Sequence, residues 1–107
     1  MTGSFGDMGS LLKQAQRMQR EIARLKETLK EKVVEGTAGG GAVRATANAA
    51  GELLALKIDP QAVDPKDVSM LEDLIVAAVS AALKKAEALH QEEIARITGG
   101  LNLPGLL

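Results

Sequence analysis

The apolar positions of the first third of the chain recur at alternating steps of three and four residues. This spacing is typical of a helix with a heptad seam and predicts a helix over Met8–Lys32, with Ser10 as a capping residue near its start. At 1.5 Å per residue such a helix is about 35 Å long, so we expect part of it to project or to pair with another helix. The positions expected to make core or dimer contacts along this seam are Leu11, Met18, Ile22, Leu25 and Leu29.

The middle of the chain changes to an alternation of period two, which is typical of strands with one buried face. It predicts strands over Val33–Ala38, Ala42–Asn48 and Leu53–Asp59. Glycines at Gly39–Gly41 and the segment Asn48–Gly51 are typical of tight turns. Because both connections are short, we expect antiparallel neighbours.

A second apolar stripe with helical spacing predicts a helix over Val68–Thr98. Ser69 and Glu72 have the spacing of a capping box at its start, and Gly99–Gly100 would end it. Several alanines on the stripe allow close approach of either the sheet or a symmetry-related helix. The order α-β-β-β-α predicts one α+β domain, a three-stranded antiparallel sheet with two long helices, in which 1–7 and 101–107 are flexible tails.

Composition adds constraints to this fold. The chain has 107 residues, of which 17 are alanine and one, Phe5, is aromatic. An alanine-rich core buries little apolar surface per residue, so we expect a second subunit to complete it. Cysteine is absent, which excludes disulfides and thiolate sites and fits a reducing compartment. No apolar run spans a bilayer and no signal-peptide pattern opens the chain, so we expect a cytoplasmic protein.

The charge is distributed unevenly although the net charge is only −1. Residues 1–32 carry seven basic and four acidic side chains, a net of +3, and residues 33–107 carry six and ten, a net of −4. On the first helix, spacings of four, three and four place four cations in one row opposite the apolar seam. Its length of roughly 16 Å allows contact with several phosphates of a DNA strand. We call Lys13, Arg17, Arg20 and Arg24 the cationic row.

Other interpretations of these residues remain open at this point. A row of cations opposite an apolar seam can simply keep a helix soluble, and the seam can instead dock a partner protein. An enzyme would depend on the single histidine, His90, whose position on a helix favours a structural role. Gly39–Gly41 leads into a strand and favours a hairpin turn over a phosphate loop, and Glu92–Glu93 is expected to face solvent. Because bases of single strands stack on aromatic side chains, the near absence of these favours duplex DNA, with little base readout.

Four separated segments resemble the YbaB/EbfC family of nucleoid-associated proteins. They cover the start of the first helix, the end of the third strand, the start of the second helix and the C-terminus. The α-β-β-β-α order and the length of the chain also agree with the family. The segments are Met8–Gln19, Ile58–Pro60, Met70–Ala78 and Leu101–Gly105.

The resemblance implies a bacterial cytoplasmic protein that binds double-stranded DNA, changes its conformation and forms a tweezer-like homodimer. Roles in nucleoid organisation, gene regulation and DNA protection follow from it. It implies no enzymatic activity, cofactor, metal, membrane or small-molecule substrate. The residues expected to bind DNA are Lys13, Arg17, Arg20 and Arg24, followed in second rank by Lys84, Lys85 and Arg96 on the second helix.

Overall fold

The computed structural model describes residues 3–101, with the side chains of residues 7–97. A three-stranded sheet is preceded and followed along the chain by one long helix each, in the order that the sequence predicted. The elements are α1 (Gly3–Glu31), β1 (Val33–Ala38), β2 (Val43–Asn48), β3 (Leu53–Ile58), a short 3-10 turn (Pro60–Ala62) and α2 (Val68–Leu101). The sheet is antiparallel with β2 in the middle, and the chain extends over 80 × 20 × 17 Å.

The core lies where α2 crosses one face of β1 and β2. Alternation along β2 turns every second side chain toward the helix, and the small alanines of α2 meet them at close range. At the crossing, Gly36 of β1 lies directly under the helix backbone, so a side chain there would have no space. The fully buried cluster consists of Val43, Ala45, Ala47, Ala78, Ala82 and Ala86. The predicted close approach is therefore between α2 and the sheet.

Both predicted turns are confirmed. Gly39, Gly40 and Gly41 have φ values of 63°, 67° and 95°, which only glycine adopts without strain. The turn between β2 and β3 is held by the buried Asn48, whose Oδ1 accepts hydrogen bonds from the backbone of Ala50 and Glu52 at 3.1 and 3.0 Å. These contacts fix the register of the sheet.

Three of the four helix ends and both N-terminal caps differ from the predicted ones. Helix α1 begins at Gly3 rather than Met8, so Ser10 lies inside it and caps nothing. Helix α2 starts at Val68 as predicted, but its first turn is capped by Asp67 rather than Ser69, because the Asp67 carboxylate accepts a hydrogen bond from Met70 N–H at 3.2 Å. The backbone stays helical through Gly99–Gly100 to Leu101, because glycine ends a helix only where it takes a left-handed conformation. Residues 1–2 and 102–107, which belong to the predicted tails, lie outside the described residues.

The helices of the described chain include none with the length and apolar character needed to cross a membrane.

Candidate nucleic-acid interface

The cationic row lies on the part of α1 that extends beyond the sheet. All residues from Asp7 to Arg20 are exposed, and Arg24, two turns before the helix meets the sheet, is exposed as well. Within residues 7–97, none of the four cations forms an ion pair with a carboxylate. The row is therefore neither buried in the protomer nor neutralised by it, and its charges face solvent.

Three of the four acidic residues of α1 lie in its second half, Glu21, Glu27 and Glu31, whereas Asp7 lies near its start. Glu27 and Glu31 continue the helical surface of the row toward the sheet, because their spacing from Arg24 is three and seven residues. The positive charge of this surface is therefore strongest between Lys13 and Arg24, before these two carboxylates. A polyanion is attracted most strongly to this part of α1.

The attachment of α1 to the rest of the protein is short and specific. Leu29 is 5% exposed and Leu25 is half-buried, whereas Ile22 is already 49% exposed. Beyond the helix end, Lys32 Nζ lies 2.8 Å from Oε1 of Glu93 on α2, and Lys32 O accepts the N–H of Ala49 at 2.9 Å. These contacts orient α1 relative to the sheet and so determine where the cationic row points.

Glu93 is a buried anion, contrary to the expectation that Glu92–Glu93 faces solvent. Glu92 is exposed, but Glu93 is 2% exposed and is also hydrogen-bonded by Arg96 Nη2 at 3.0 Å. The hydrogen bond from Lys32 lowers the pKa of the Glu93 carboxyl, and the charges of Arg96 and Lys32 act in the same direction against the effect of burial. The i, i+3 spacing of Glu93 and Arg96 was a visible signal in the sequence, but nothing there indicated that Lys32 would complete the cluster.

The second-rank cations do not form one group with each other. Arg96 lines a cleft between α1 and α2 together with Arg24, so it lies next to the cationic row. Lys84 and Lys85 lie about three turns earlier on α2, over the sheet. Lys85 Nζ donates a hydrogen bond to the backbone oxygen of Glu35 on β1 at 2.9 Å. Among these three, the structure brings only Arg96 to the first-helix site.

His90 has the structural role that its helical position favoured. It is half-buried, and its Nδ1 donates a hydrogen bond to the carbonyl oxygen of Ala49 at 2.9 Å, because a carbonyl can only accept. This bond ties α2 to the turn between β2 and β3. The histidine thus stabilises the fold at that turn.

Only the C-terminal part of the predicted α1 seam is packed within the protomer. Its last members, Leu25 and Leu29, pack within the protomer, while Leu11, Met18 and Ile22 are 61%, 48% and 49% exposed. The exposed half lies on the opposite side of α1 from the cationic row. Its predicted role in a dimer stays a prediction.

Comparison with known proteins supplies the family. The family model described as the YbaB/EbfC DNA-binding family matches residues 5–101. The chain belongs to the YbaB/EbfC DNA-binding family. The family resemblance inferred from the four sequence segments is therefore confirmed, and the match includes the projecting half of α1.

Individual relatives agree with this assignment along nearly the whole chain. A nucleoid-associated protein of Pelotomaculum thermopropionicum is 50% identical over 101 residues, covering 94% of this chain and 96% of the relative. One of Moorella thermoacetica is 53% identical, with 94% and 97% covered. A crystal structure of an uncharacterized Helicobacter pylori protein has a TM-score of 0.63 at 24% identity, covers 78% of this chain and 96% of that chain, and supports the fold.

Proposed function

We propose that this YbaB/EbfC protein is a nucleoid-associated protein that binds double-stranded DNA with low sequence specificity and alters its conformation. The observation that carries the proposal is the cationic row: four exposed positive side chains without carboxylate partners on a helix that projects from the sheet. The relatives' names support the nucleoid as its location. Nucleoid organisation, gene regulation and DNA protection are the roles that follow.

The chemistry of the row favours contacts with the DNA backbone. Three of its four members are arginines, and one guanidinium group can donate two parallel hydrogen bonds to the oxygens of a phosphate. Lys and Arg contacts to phosphates add affinity without distinguishing base sequences, and the chain has only one aromatic residue for stacking. Arg96 adds one further cation on α2 across the cleft from Arg24, and the carboxylates of Glu21 and Glu93 line the same cleft.

A homodimer is part of the proposal. Two copies would present two cationic rows at a fixed separation, so a duplex held by both rows would be bent, or two duplexes would be bridged. The small cluster of fully buried residues, mostly alanines, supports the need for a second subunit. No catalytic residue is assigned, and His90 is engaged in a structural hydrogen bond.

The proposal is tested by charge reversal with a matched control. The row variant carries Arg17→Glu, Arg20→Glu and Arg24→Glu. The control carries Lys26→Glu, Lys30→Glu and Lys66→Glu, three exposed lysines outside the row, so that both variants change the net charge equally. Binding to several unrelated duplexes is measured by fluorescence anisotropy at one salt concentration.

We expect the row variant to lose at least tenfold more affinity than the control, by a similar factor on every duplex. Equal losses in the two variants would show that only net charge matters, and would refute the row as the binding surface. The other interpretation, a module that docks a protein through the α1 seam, has no support in the family match or in the relatives' names.

A further inference from the structure

The cleft between α1 and α2 holds charged side chains whose arrangement the cationic row alone does not explain. Arg24, the last member of the row, lines this cleft from α1, and Arg96 lines it from α2. Both arginines are exposed. Glu93, three residues before Arg96 on α2, lines the same cleft and is only 2% exposed. The cleft thus combines two cations that reach solvent with a carboxylate that does not.

One oxygen of the Glu93 carboxylate contacts two cations. Its Oε1 lies 2.8 Å from Lys32 Nζ and 3.0 Å from Arg96 Nη2. The Lys32 and Arg96 side chains are 37% and 64% exposed, whereas the Glu93 side chain is 3% exposed. The carboxylate is therefore anchored inside the protein, and the two cations extend from it toward solvent.

Lys32 reaches Glu93 from a backbone position that is held on both sides. Its N–H donates to Thr28 O at 3.2 Å, which continues the hydrogen bonding of α1, and its carbonyl oxygen accepts the N–H of Ala49 at 2.9 Å. The ammonium group of Lys32 balances the charge of the Glu93 carboxylate. Two cations and one anion leave this group of three side chains with a net charge of +1, so Arg96 keeps its attraction for an anion.

The contact with Glu93 leaves most of the hydrogen-bonding capacity of Arg96 free. A guanidinium group has several N–H donors in one plane, and the bond to Glu93 uses only Nη2. The other donors of this exposed side chain are available to an anion. A guanidinium group whose orientation is already fixed loses less conformational freedom when it binds a phosphate.

We propose that Arg24 and Arg96 form a phosphate subsite across the cleft, and that Glu93 is the positioning residue that holds Arg96 in it. The ligand is a backbone phosphate of the duplex that follows the cationic row from Lys13 to Arg24. Both subsite residues are arginines, which suits paired hydrogen bonds to phosphate oxygens. The inference rests on the proposed function and adds to it a buried carboxylate that acts through Arg96.

A second carboxylate in the cleft provides an internal comparison. Glu21 on α1 lines the cleft together with Arg24, but among the side chains of residues 7–97 it forms no ion pair. Glu21 therefore only repels a phosphate, whereas Glu93 repels it and also orients Arg96. Removing either carboxylate makes the cleft more positive by one charge, so charge alone predicts tighter DNA binding in both cases.

The first test compares Glu93→Gln with Glu21→Gln in duplex binding by fluorescence anisotropy. Glutamine keeps the size of the side chain and removes its charge. We expect Glu21→Gln to bind at least as tightly as the wild type, and Glu93→Gln to bind about fivefold more weakly despite its more favourable net charge. Sedimentation mass and helical circular dichroism of the same samples show that the fold is kept. Equal or tighter binding by folded Glu93→Gln would overturn the inference.

The second test replaces Arg96, whose exposed side chain can be changed without disturbing the core. Arg96→Met removes the subsite cation, and Lys66→Met, in the exposed loop before α2, removes the same charge away from the cleft. We expect about tenfold weaker binding for Arg96→Met and a loss of less than about twofold for Lys66→Met. If Arg96→Met binds as tightly as Lys66→Met, the subsite is refuted whether or not Glu93→Gln folds.

The double variant shows whether Glu93 acts through Arg96. In the Arg96→Met background, Glu93→Gln should weaken DNA binding no further, because the side chain that Glu93 positions is gone. A merely structural role of Glu93 would lower the affinity by the same factor in both backgrounds. An undiminished loss in the double variant would therefore overturn the positioning role.

The outcomes separate the inference from the proposed function. If Arg96→Met and Glu93→Gln keep the wild-type affinity while the row variant loses it, the subsite is wrong and the cationic row stands. If the wild type binds no duplex, or the row variant binds as tightly as its control, the proposed function fails whatever the cleft variants do.

Discussion

Replacement of Gly36 by alanine tests how tightly α2 is held against the sheet. A Cβ at this position would lie 2.2 Å from Ala82 N, 2.4 Å from Ala78 O and 2.8 Å from Ala82 Cα. All three atoms belong to the helix backbone, so no side-chain rotation relieves the contact. The helix must move away from β1 by about 1 Å to restore an ordinary separation.

This displacement determines the expected cost. Moving α2 outward opens a gap beneath Ala78, Ala82 and Ala86, which supply half of the fully buried cluster. Overpacking of a core costs about 1–3 kcal/mol, and a clash with backbone on a chain this small should reach about 3 kcal/mol. At about 4–8 °C per kcal/mol, the midpoint of thermal unfolding should fall by about 15 °C.

The assay is thermal unfolding followed by circular dichroism at one protein concentration, with Gly9→Ala as the control. Gly9 lies in exposed α1 with nothing within 4 Å of an added Cβ, so this variant should be unchanged or up to about 1 kcal/mol more stable. If the thermal unfolding midpoint of Gly36→Ala lies within 2 °C of that of the wild type, the close crossing of α2 over β1 is refuted.

Three further substitutions test individual contacts. Lys32 lowers the pKa of Glu93 in the folded protein, so the charged pair stabilises the wild type at neutral pH, and this contribution is lost as the pH falls through the folded-state pKa. The difference in unfolding free energy between the wild type and Glu93→Gln, measured by urea titration, should therefore become smaller from pH 7 to pH 3. A difference that does not change with pH would contradict this role of the pair. His90→Phe loses the bond to Ala49 O and should cost about 1 kcal/mol in the same titration while leaving DNA affinity unchanged, in contrast to a catalytic or DNA-contacting histidine. Asp67→Ala removes the N-terminal cap of α2 and should lower the free energy of unfolding by about 1 kcal/mol. An unchanged free energy of unfolding would show that Asp67 does not stabilise the start of α2.

The order and pairing of the elements could be predicted from local patterns. Strand β2 alternates Val43, Ala45 and Ala47 with polar residues, and the structure buries these three. The three glycines after β1 required a turn, and the structure gives all of them positive φ. The cationic row was visible because a helix converts its spacing directly into one surface.

Long-range contacts could not be predicted in the same way. Buried Glu93 is paired with Lys32, 61 positions earlier, and Lys85 donates a hydrogen bond to the backbone oxygen of Glu35, 50 positions earlier. The seam of α1 has one periodicity throughout, yet only the end beside the sheet is buried. Periodicity indicates which side of a helix is apolar, but the length of the partner surface decides how much of that side is covered.

The central claim is that the cationic row binds DNA phosphates. Its most direct test is the salt dependence of duplex affinity for the wild type and for the variant with Arg17→Glu, Arg20→Glu and Arg24→Glu. With four to eight phosphates contacted, the logarithm of the wild-type affinity should fall with the logarithm of salt concentration at a slope of about −4 to −7, and the variant's slope should be flatter by about three or more. Equal slopes for the two proteins, or a flat dependence for the wild type, would contradict the claim.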